Sequence, residues 1–252
     1  MRKFTKQDYF KTFKNQSYIE QLQKVERKFE TFHNEATNAT EITIYGIIGD
    51  SWWEDSVSAS DIDNALKSIS GDIVINLNSP GGDAFDGIAI YNRLKKHNGK
   101  VIINVDGWAC SAASVLMMAG DEVNIGLGAM VMIHEASSLV WGTKTEMRKE
   151  ADVLDELEEG IIDIYMTKAN ISREEIRNMV DAETWFGAQK AIEIGFATSS
   201  ASSTVEDNEE ITNLNAKMQA MQTELDQLKN KEPEKPVASV KNNDVRKAFL
   251  NI

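Results

Sequence analysis

Through the middle of the chain, apolar positions switch between a period of two and a period near four. Hydrophobic side chains alternate over Ile42–Ile48 and stop at Gly49-Asp50, which predicts a half-buried strand. Ile73–Leu77 and Val101–Val105 are short β-branched runs of the kind found in fully buried strands. Asp61–Ile69, capped by Ser60, and Phe85–His97, ended by Gly99, read as helices between them. Strand alternating with helix predicts an α/β fold: a mainly parallel sheet with right-handed crossovers. Asp106-Gly107 stops the third strand, and Ala109–Ser114 opens a helix of small and apolar residues that runs on through Val115–Ala119. A further apolar run, Met130–Ile133, delivers His134. Glu135–Gly142 is a loop, and Thr143 caps a long helix reaching about Ala169, with Leu154, Leu157, Ile161 and Tyr165 on its apolar side. Ser172 caps a helix over Arg173–Val180, and Ala188–Ile194 is the last one, stopped by Gly195 ahead of Phe196-Ala197.

The flanks are patterned differently. Phe4, Phe10, Phe13, Tyr18, Leu22, Val25, Phe29 and Phe32 recur at mostly three- and four-residue spacing, so residues 1–36 are expected to form an amphipathic helix or helix pair. Its expected place is against its own domain or a sister subunit, with a partner-binding arm as the other option. Glu35–Thr40 is a polar link, and Trp52-Trp53 sits in a loop as packing. After Ala197, residues 198–210 have linker composition. Ile211, Leu214, Met218, Met221, Leu225 and Leu228 then follow an a/d heptad spacing, which predicts a coiled-coil helix paired with a partner. Pro233 and Pro236 end it, and Lys241–Ile252 is either a terminal hook through Phe249 and Leu250 or disordered. The expected organisation is an arm over 1–40, an α/β domain over 41–197, a linker over 198–210 and a heptad helix with tail over 211–252.

Composition narrows the class. A chain of 252 residues that is 42% hydrophobic fits one domain with appendages. There is no run of 18 apolar residues, so no transmembrane helix is expected, and the basic start lacks the apolar stretch of a secretory signal. Cys110 is the only cysteine, which excludes an intrachain disulfide and suits a cytoplasmic setting. The net charge of −13 argues against broad nucleic-acid binding.

The chemistry centres on Ser111. A serine at a strand–turn–helix junction exposes its hydroxyl beside the first free N–H groups of the helix, which can hold an oxyanion. Of the three histidines, His33 lies in the N-terminal stretch and His97 on a lysine-rich helix end, whereas His134 follows a buried run and is placed to act as a general base. Ser114, one turn further into the helix, is the competing hydroxyl and is expected to be buried. Asn78-Ser79-Pro80-Gly81-Gly82 stands at the C-terminal end of a parallel strand, where α/β sites collect. Its paired glycines allow the Gly82 N–H to join that of Ala112 as an oxyanion hole. No Gly-Lys-Ser/Thr follows to make a phosphate loop, and no Cys/His cluster or His-Glu-x-x-His exists to bind a metal, so no cofactor is expected.

Asn78–Gly82, Gly107-x-x-x-Ser111 with Ala119-Gly120 beyond it, and Met132-Ile133-His134 resemble, in order, the motifs of the Clp protease proteolytic subunit, ClpP, over about residues 41–197. The spellings Ile47–Asp50 with Trp52-Trp53, Phe85–Asn92 and Ser111–Ser114 are similar to the ClpP-related head maturation proteases of tailed phages and prophages. The resemblance implies a ClpP/crotonase-like fold and a serine endopeptidase with a Ser-His-acid triad. It places the nucleophile on Ser111, the base on His134 and the backbone donors on Gly82 and Ala112. It places the acid on Glu183 where the family usually has aspartate, with Asp181 as the fallback. It further implies a homo-oligomeric ring, a hexamer or heptamer, single or stacked. The expected substrates are capsid or scaffold proteins, and the expected location is the bacterial host cytoplasm and the procapsid interior, with no nucleic-acid or membrane partner. The N-terminal arm and heptad tail depart from ClpP rings fed by an unfoldase and suit docking onto capsid or scaffold. Alternatives are a non-enzymatic capsid-assembly protein on the same fold, and a ClpP-like peptidase working with a host unfoldase. Less favoured are a crotonase acting on acyl-CoA thioesters and a Ser-Lys peptidase using Lys144.

Overall fold

The computed structural model describes residues 5–49 and 56–200. The chain opens with a short helix α1 (Lys6–Phe10), a 3-10 turn (Gln16–Tyr18) and α2 (Ile19–Leu22). Next come β1 (Lys28–Asn34), β2 (Ala39–Tyr45), β3 (Ile47–Ile48), β4 (Ser56–Val57) and α3 (Ala59–Leu66). The centre holds β5 (Ile73–Ser79), α4 (Ala84–Lys95), β6 (Val101–Cys110), α5 (Ala112–Met117), β7 (Glu122–Ile125) and β8 (Met130–Ile133). The last elements are α6 (Lys144–Met166), α7 (Arg173–Asp181), β9 (Thr184–Gly187), α8 (Ala188–Glu193) and β10 (Ser199–Ser200). The main sheet runs β1-β2-β5-β6-β7-β10, and β8 pairs with the far half of β6 and with β9. Pairing is parallel except for β1 with β2 and β8 with β9. Among the described residues no helix is long and apolar enough to cross a membrane.

The parallel core follows the hydrophobic pattern. Ile73, Ile75 and Leu77 on β5 alternate with half-buried positions and are fully buried, as are Ile103 and Val105 on β6. The opposite face carries a polar ladder. Asn124 Nδ2 donates to Asn104 Oδ1 at 3.0 Å, Asn104 Nδ2 donates to Asn76 Oδ1 at 3.1 Å, and Ser199 Oγ donates to Asn124 Oδ1 at 2.5 Å. These residues are direct register partners across four parallel strands.

Several expectations are corrected. Residues 1–36 do not form one amphipathic helix or helix pair: Lys28–Asn34 is a strand, antiparallel to β2 with Phe29 opposite Ile44. Phe29 and Phe32 stand three apart, which mimics a helical stripe, yet Phe29 packs on the core while Phe32 is exposed. The hairpin is set by Asn34, whose Oδ1 accepts from the Ala36 and Thr37 N–H groups, and by Asn38 at φ 54°. The first helix after β4 is capped by Ser58 rather than Ser60, because Ser58 and Asp61 form a reciprocal capping box. The strand expected to stop at Asp106-Gly107 continues to Cys110. Its extra residues bulge opposite Asn78, whose Oδ1 accepts the Trp108 N–H at 3.0 Å. The stretch read as linker from residue 198 begins inside the body: Thr198 N donates to Val123 O at 2.8 Å, and Ser199–Ser200 add a parallel edge strand. Trp52-Trp53 and the heptad segment lie outside the described residues.

Candidate active site

β6 is the element that presents the serine. Its first half pairs with β7 and its second half with β8, so its last residue, Cys110, is held at full burial. The chain then turns sharply. Ser111 has φ 53°, a left-handed conformation that costs a non-glycine residue on the order of 1 kcal/mol or more. The turn is held by the Ser111 N–H donating to Met132 O at 2.9 Å and by the Ser114 N–H donating to Ser111 O at 2.8 Å. α5 starts at the next residue, so the Ala112 N–H has no intrahelical acceptor.

β8 delivers His134. Its Nε2 lies 2.8 Å from Ser111 Oγ. The ring of Phe13 stands edge-on to the imidazole at 5.2 Å between centroids. Burial pushes the imidazole down to about 4, the negative Glu183 opposes that shift, and the Lys14 ammonium adds to it. An unfolded histidine titrates near 6.5. Between these two values the unfolded chain binds a proton that the folded chain refuses, so stability rises with pH across that window. Stability is therefore lost as pH falls from about 6.5 towards 4. Urea midpoints of the wild type and of His134→Gln are expected to converge over that range, and a constant difference between them would contradict the shift.

Gly81 and Gly82 stand across from the serine, and both need a missing side chain. Gly82 has φ 151°, and a Cβ there would lie 2.0 Å from Ile48 O. A Cβ on Gly81, at φ 88°, would lie 2.5 Å from Cys110 O and 2.7 Å from Ser111 Cβ. Among the described residues, neither the Gly82 N–H nor the Ala112 N–H has a hydrogen-bond partner. Both residues line a cavity of about 570 Å³ together with Ser111 and His134. Val115, Leu154, Leu157 and Ile161 give that cavity an apolar part to its lining.

The structure thus brings Ser111, His134, Gly82 and Ala112 together. Glu183 arrives beside them in a different state. Thr184 is the register partner of Ile133 on the antiparallel β8–β9 pair, so Glu183 and His134 are the next residues outward on the two strands. Glu183 is 7% exposed and sits at φ 53°. Its carboxylate accepts from the Lys14 N–H, from the Asn15 N–H at 2.7 Å and from Trp185 Nε1 at 3.1 Å. Among the described residues no group hydrogen-bonds His134 Nδ1. Asp181 ends α7 at the surface, and only its backbone carbonyl enters this region, accepting from Lys14 Nζ at 2.6 Å. Ser114 is fully buried and is spent on Ser111 O at 2.6 Å and the Tyr165 hydroxyl at 2.8 Å. His33 and His97 bond elsewhere, to Thr40 Oγ1 and Gly71 O.

The residues that sequence reasoning did not bring to the site belong to the N-terminal segment. Tyr9, Phe10, Phe13, Ile19 and Leu22 form a second apolar cluster with Ile47, Cys110 and Met132, directly behind Ser111 and His134. The Tyr9 hydroxyl donates to Pro80 O at 3.0 Å. Dense aromatics over residues 9–13 were the available signal, but contacts as distant along the chain as Tyr9 to Pro80, 71 positions apart, have no local signature.

The Clp protease family profile matches residues 26–203. Over 137 residues the chain is 31% identical to the ATP-dependent Clp protease proteolytic subunit 3 of Rhodococcus jostii, covering 54% of this chain and 68% of that one. It is 32% identical over 134 residues to proteolytic subunit 1 of Chlamydia muridarum, covering 52% of this chain and 70% of that one. Among solved structures, a ClpP1 mutant from Listeria monocytogenes superposes with a TM-score of 0.56 at 21% identity, covering 67% of this chain and 94% of that one.

Proposed function

Because the chain belongs to the Clp protease family, we propose that its serine peptidase chemistry runs through Ser111, His134 and Glu183, with Gly82 and Ala112 as oxyanion donors. In the reaction Ser111 Oγ attacks the scissile carbonyl carbon while His134 Nε2 takes the hydroxyl proton. The oxyanion is held by the two backbone N–H groups that have no other partner among the described residues. His134 then gives its proton to the leaving amine, and water attacks the acyl-serine with His134 again as base. Glu183 would accept a hydrogen bond from Nδ1–H and steady the imidazolium without taking its proton; Asp181, exposed at the end of α7, is the less favoured carboxylate for that role. The observation that carries this reading is the 2.8 Å Ser111–His134 contact in a cavity that Gly82 and Ala112 also line. The apolar part of the lining suits a substrate with a bulky aliphatic or aromatic side chain beside the cleaved bond.

The finer reading is a head maturation protease assembled as a homo-oligomeric ring, acting on capsid or scaffold proteins. Its organisation would be an N-terminal arm, a peptidase domain, a linker and a heptad tail for docking. Support comes from the motif spellings around Ile47, Phe85 and Ser111 and from the heptad spacing after residue 211. The test has two levels. A fluorophosphonate probe is expected to label the wild type and not Ser111→Ala; no Ser111-dependent labelling under any assembly condition would favour a non-enzymatic assembly role. Mass spectrometry of head proteins made with active and with Ser111→Ala protein is then expected to show a processed capsid or scaffold terminus only with the former. Identical termini would remove the capsid substrate and leave the peptidase.

A further inference from the structure

We propose that Lys14 is a positioning residue for the base: from the N-terminal segment it ties the strand that delivers His134 to the turn that carries Glu183. The inference rests on the roles proposed for Ser111, His134 and Glu183. The two strands need such a tie. The antiparallel β8–β9 ladder ends with Ile133 opposite Thr184, and His134 and Glu183 lie one position beyond it. Residues opposite each other in an antiparallel pair share one face, with Cβ atoms about 4.5–5.5 Å apart. Glu183 leaves that geometry at φ 53°, so the ladder no longer sets the spacing between base and acid. Lys14 spans the gap. Its ammonium donates to Glu135 Oε2 at 2.8 Å, one residue after His134, and to Asp181 O at 2.6 Å, two residues before Glu183. Its backbone N–H donates to Glu183 Oε2, and the next N–H, that of Asn15, donates to Glu183 Oε1 at 2.7 Å.

The residues on either side hold Lys14 in place. Phe13 is 2% exposed in the second apolar cluster and stands edge-on to the imidazole. Asn15 Oδ1 accepts the Ser17 N–H at 3.0 Å and caps the 3-10 turn. Two magnitudes then separate positioning from support. The Lys14 and Glu135 side chains are 56% and 51% exposed, and an ion pair this open to water adds little to a fold. Reacting groups are far less forgiving, because a displacement near 1 Å can cost about a hundredfold in rate. Lys14 is not among the residues that line the substrate cavity, although Lys11 and Thr12 are, so its loss falls on turnover rather than on substrate binding. The charged groups that face the imidazole are Glu183, Lys14 and Glu135. The ammonium opposes protonation of His134 and Glu135 favours it, so without the ammonium the imidazole takes up its proton at a higher pH.

The test uses full-length protein and a peptide substrate. Lys14→Met keeps the stem and the backbone N–H and removes the ammonium, whereas Lys14→Arg puts back a cation with donors for both a carboxylate and a carbonyl. Lys14→Met is expected to keep the wild-type urea midpoint at pH 7 and to lower kcat about ten- to a hundredfold with KM little changed. Its acid limb of kcat/KM is expected at higher pH than that of the wild type. Lys14→Arg is expected to restore most of kcat and to return the limb to its wild-type position. Lys14→Met turning over like the wild type, with an unmoved acid limb, would overturn the positioning role and leave Ser111 and His134 in theirs. A lowered urea midpoint with no rescue by Lys14→Arg would make the residue a structural support and also overturn it. A wild type without Ser111-dependent turnover or fluorophosphonate labelling would remove the proposed triad and this role with it.

Discussion

Replacing His134 by alanine is expected to lower peptide hydrolysis by about 10⁴-fold or more, close to the loss on replacing Ser111 itself. The reason is that among the described residues no other base is hydrogen-bonded to Ser111 Oγ. His134 is the one imidazole bonded to Ser111, since His33 and His97 sit on other elements with their own partners. Lys14, whose ammonium faces Glu135 at 2.8 Å, is held charged by that carboxylate and has no lone pair to offer. Groups that act as one unit do not add, so the double variant His134→Ala/Ser111→Ala is expected to be no worse than either single change. The measurement is kcat/KM on a peptide with a bulky apolar side chain beside the scissile bond. A loss smaller than about tenfold for His134→Ala would take the imidazole out of the proton-transfer step.

Gly82→Ala is expected to destabilise the fold by about 2–4 kcal/mol and to reduce hydrolysis by about 10²–10³-fold. The new Cβ would fall 2.0 Å from Ile48 O, a backbone atom whose neighbours are tied down on both sides. Ile48 N donates to Gly81 O at 2.9 Å and Ile48 O accepts from Asp83 N at 2.8 Å, so the carbonyl cannot retreat without breaking the bridge between β3 and the glycine loop. The φ of 151° adds strain that only glycine escapes. Because the loop must move, the Gly82 N–H is displaced, and with it one of the two proposed oxyanion donors. Gly160→Ala is the control: that glycine lies in α6 with nothing within 4 Å of the added Cβ, and the change is expected to stabilise by about 0.5–1 kcal/mol. Urea midpoints and kcat/KM for the two variants decide it, and equal midpoints would mean that the glycine loop tolerates a side chain.

What could be seen in the bare sequence divides along physical lines. The β5–α4–β6–α5 succession was legible because each element carries its own period and its own stop signal, and Ser111 was legible because a hydroxyl at such a junction has few structural uses. The β1 strand was not. Phe29 and Phe32 satisfy helix spacing, and only pairing with β2, a tertiary fact, decides between the periods. Ser58 was passed over for Ser60 because both are good caps, and the partner Asp61 breaks the tie through a reciprocal bond. Glu183 came to notice only through a resemblance, and its side chain turns out to be engaged by Lys14 and Asn15. No pattern along the chain could report that engagement, because it joins residues separated by 168 or 169 positions.

The asparagine ladder has a consequence for the chemistry it never touches. Parallel strands have no tight hairpin between them to set their relative slide, and a slip of one residue exchanges the two faces of a strand. Here such a slip would drive the amides of Asn76, Asn104 and Asn124 in among Ile75, Ile103 and Val123, stranding their donors in an apolar interior. The rungs therefore index one strand against the next like the teeth of a rack. Gly82 follows the end of β5 and Ser111 follows the end of β6, so the tally of residues from rung to tip determines that the amide and the hydroxyl finish level with each other.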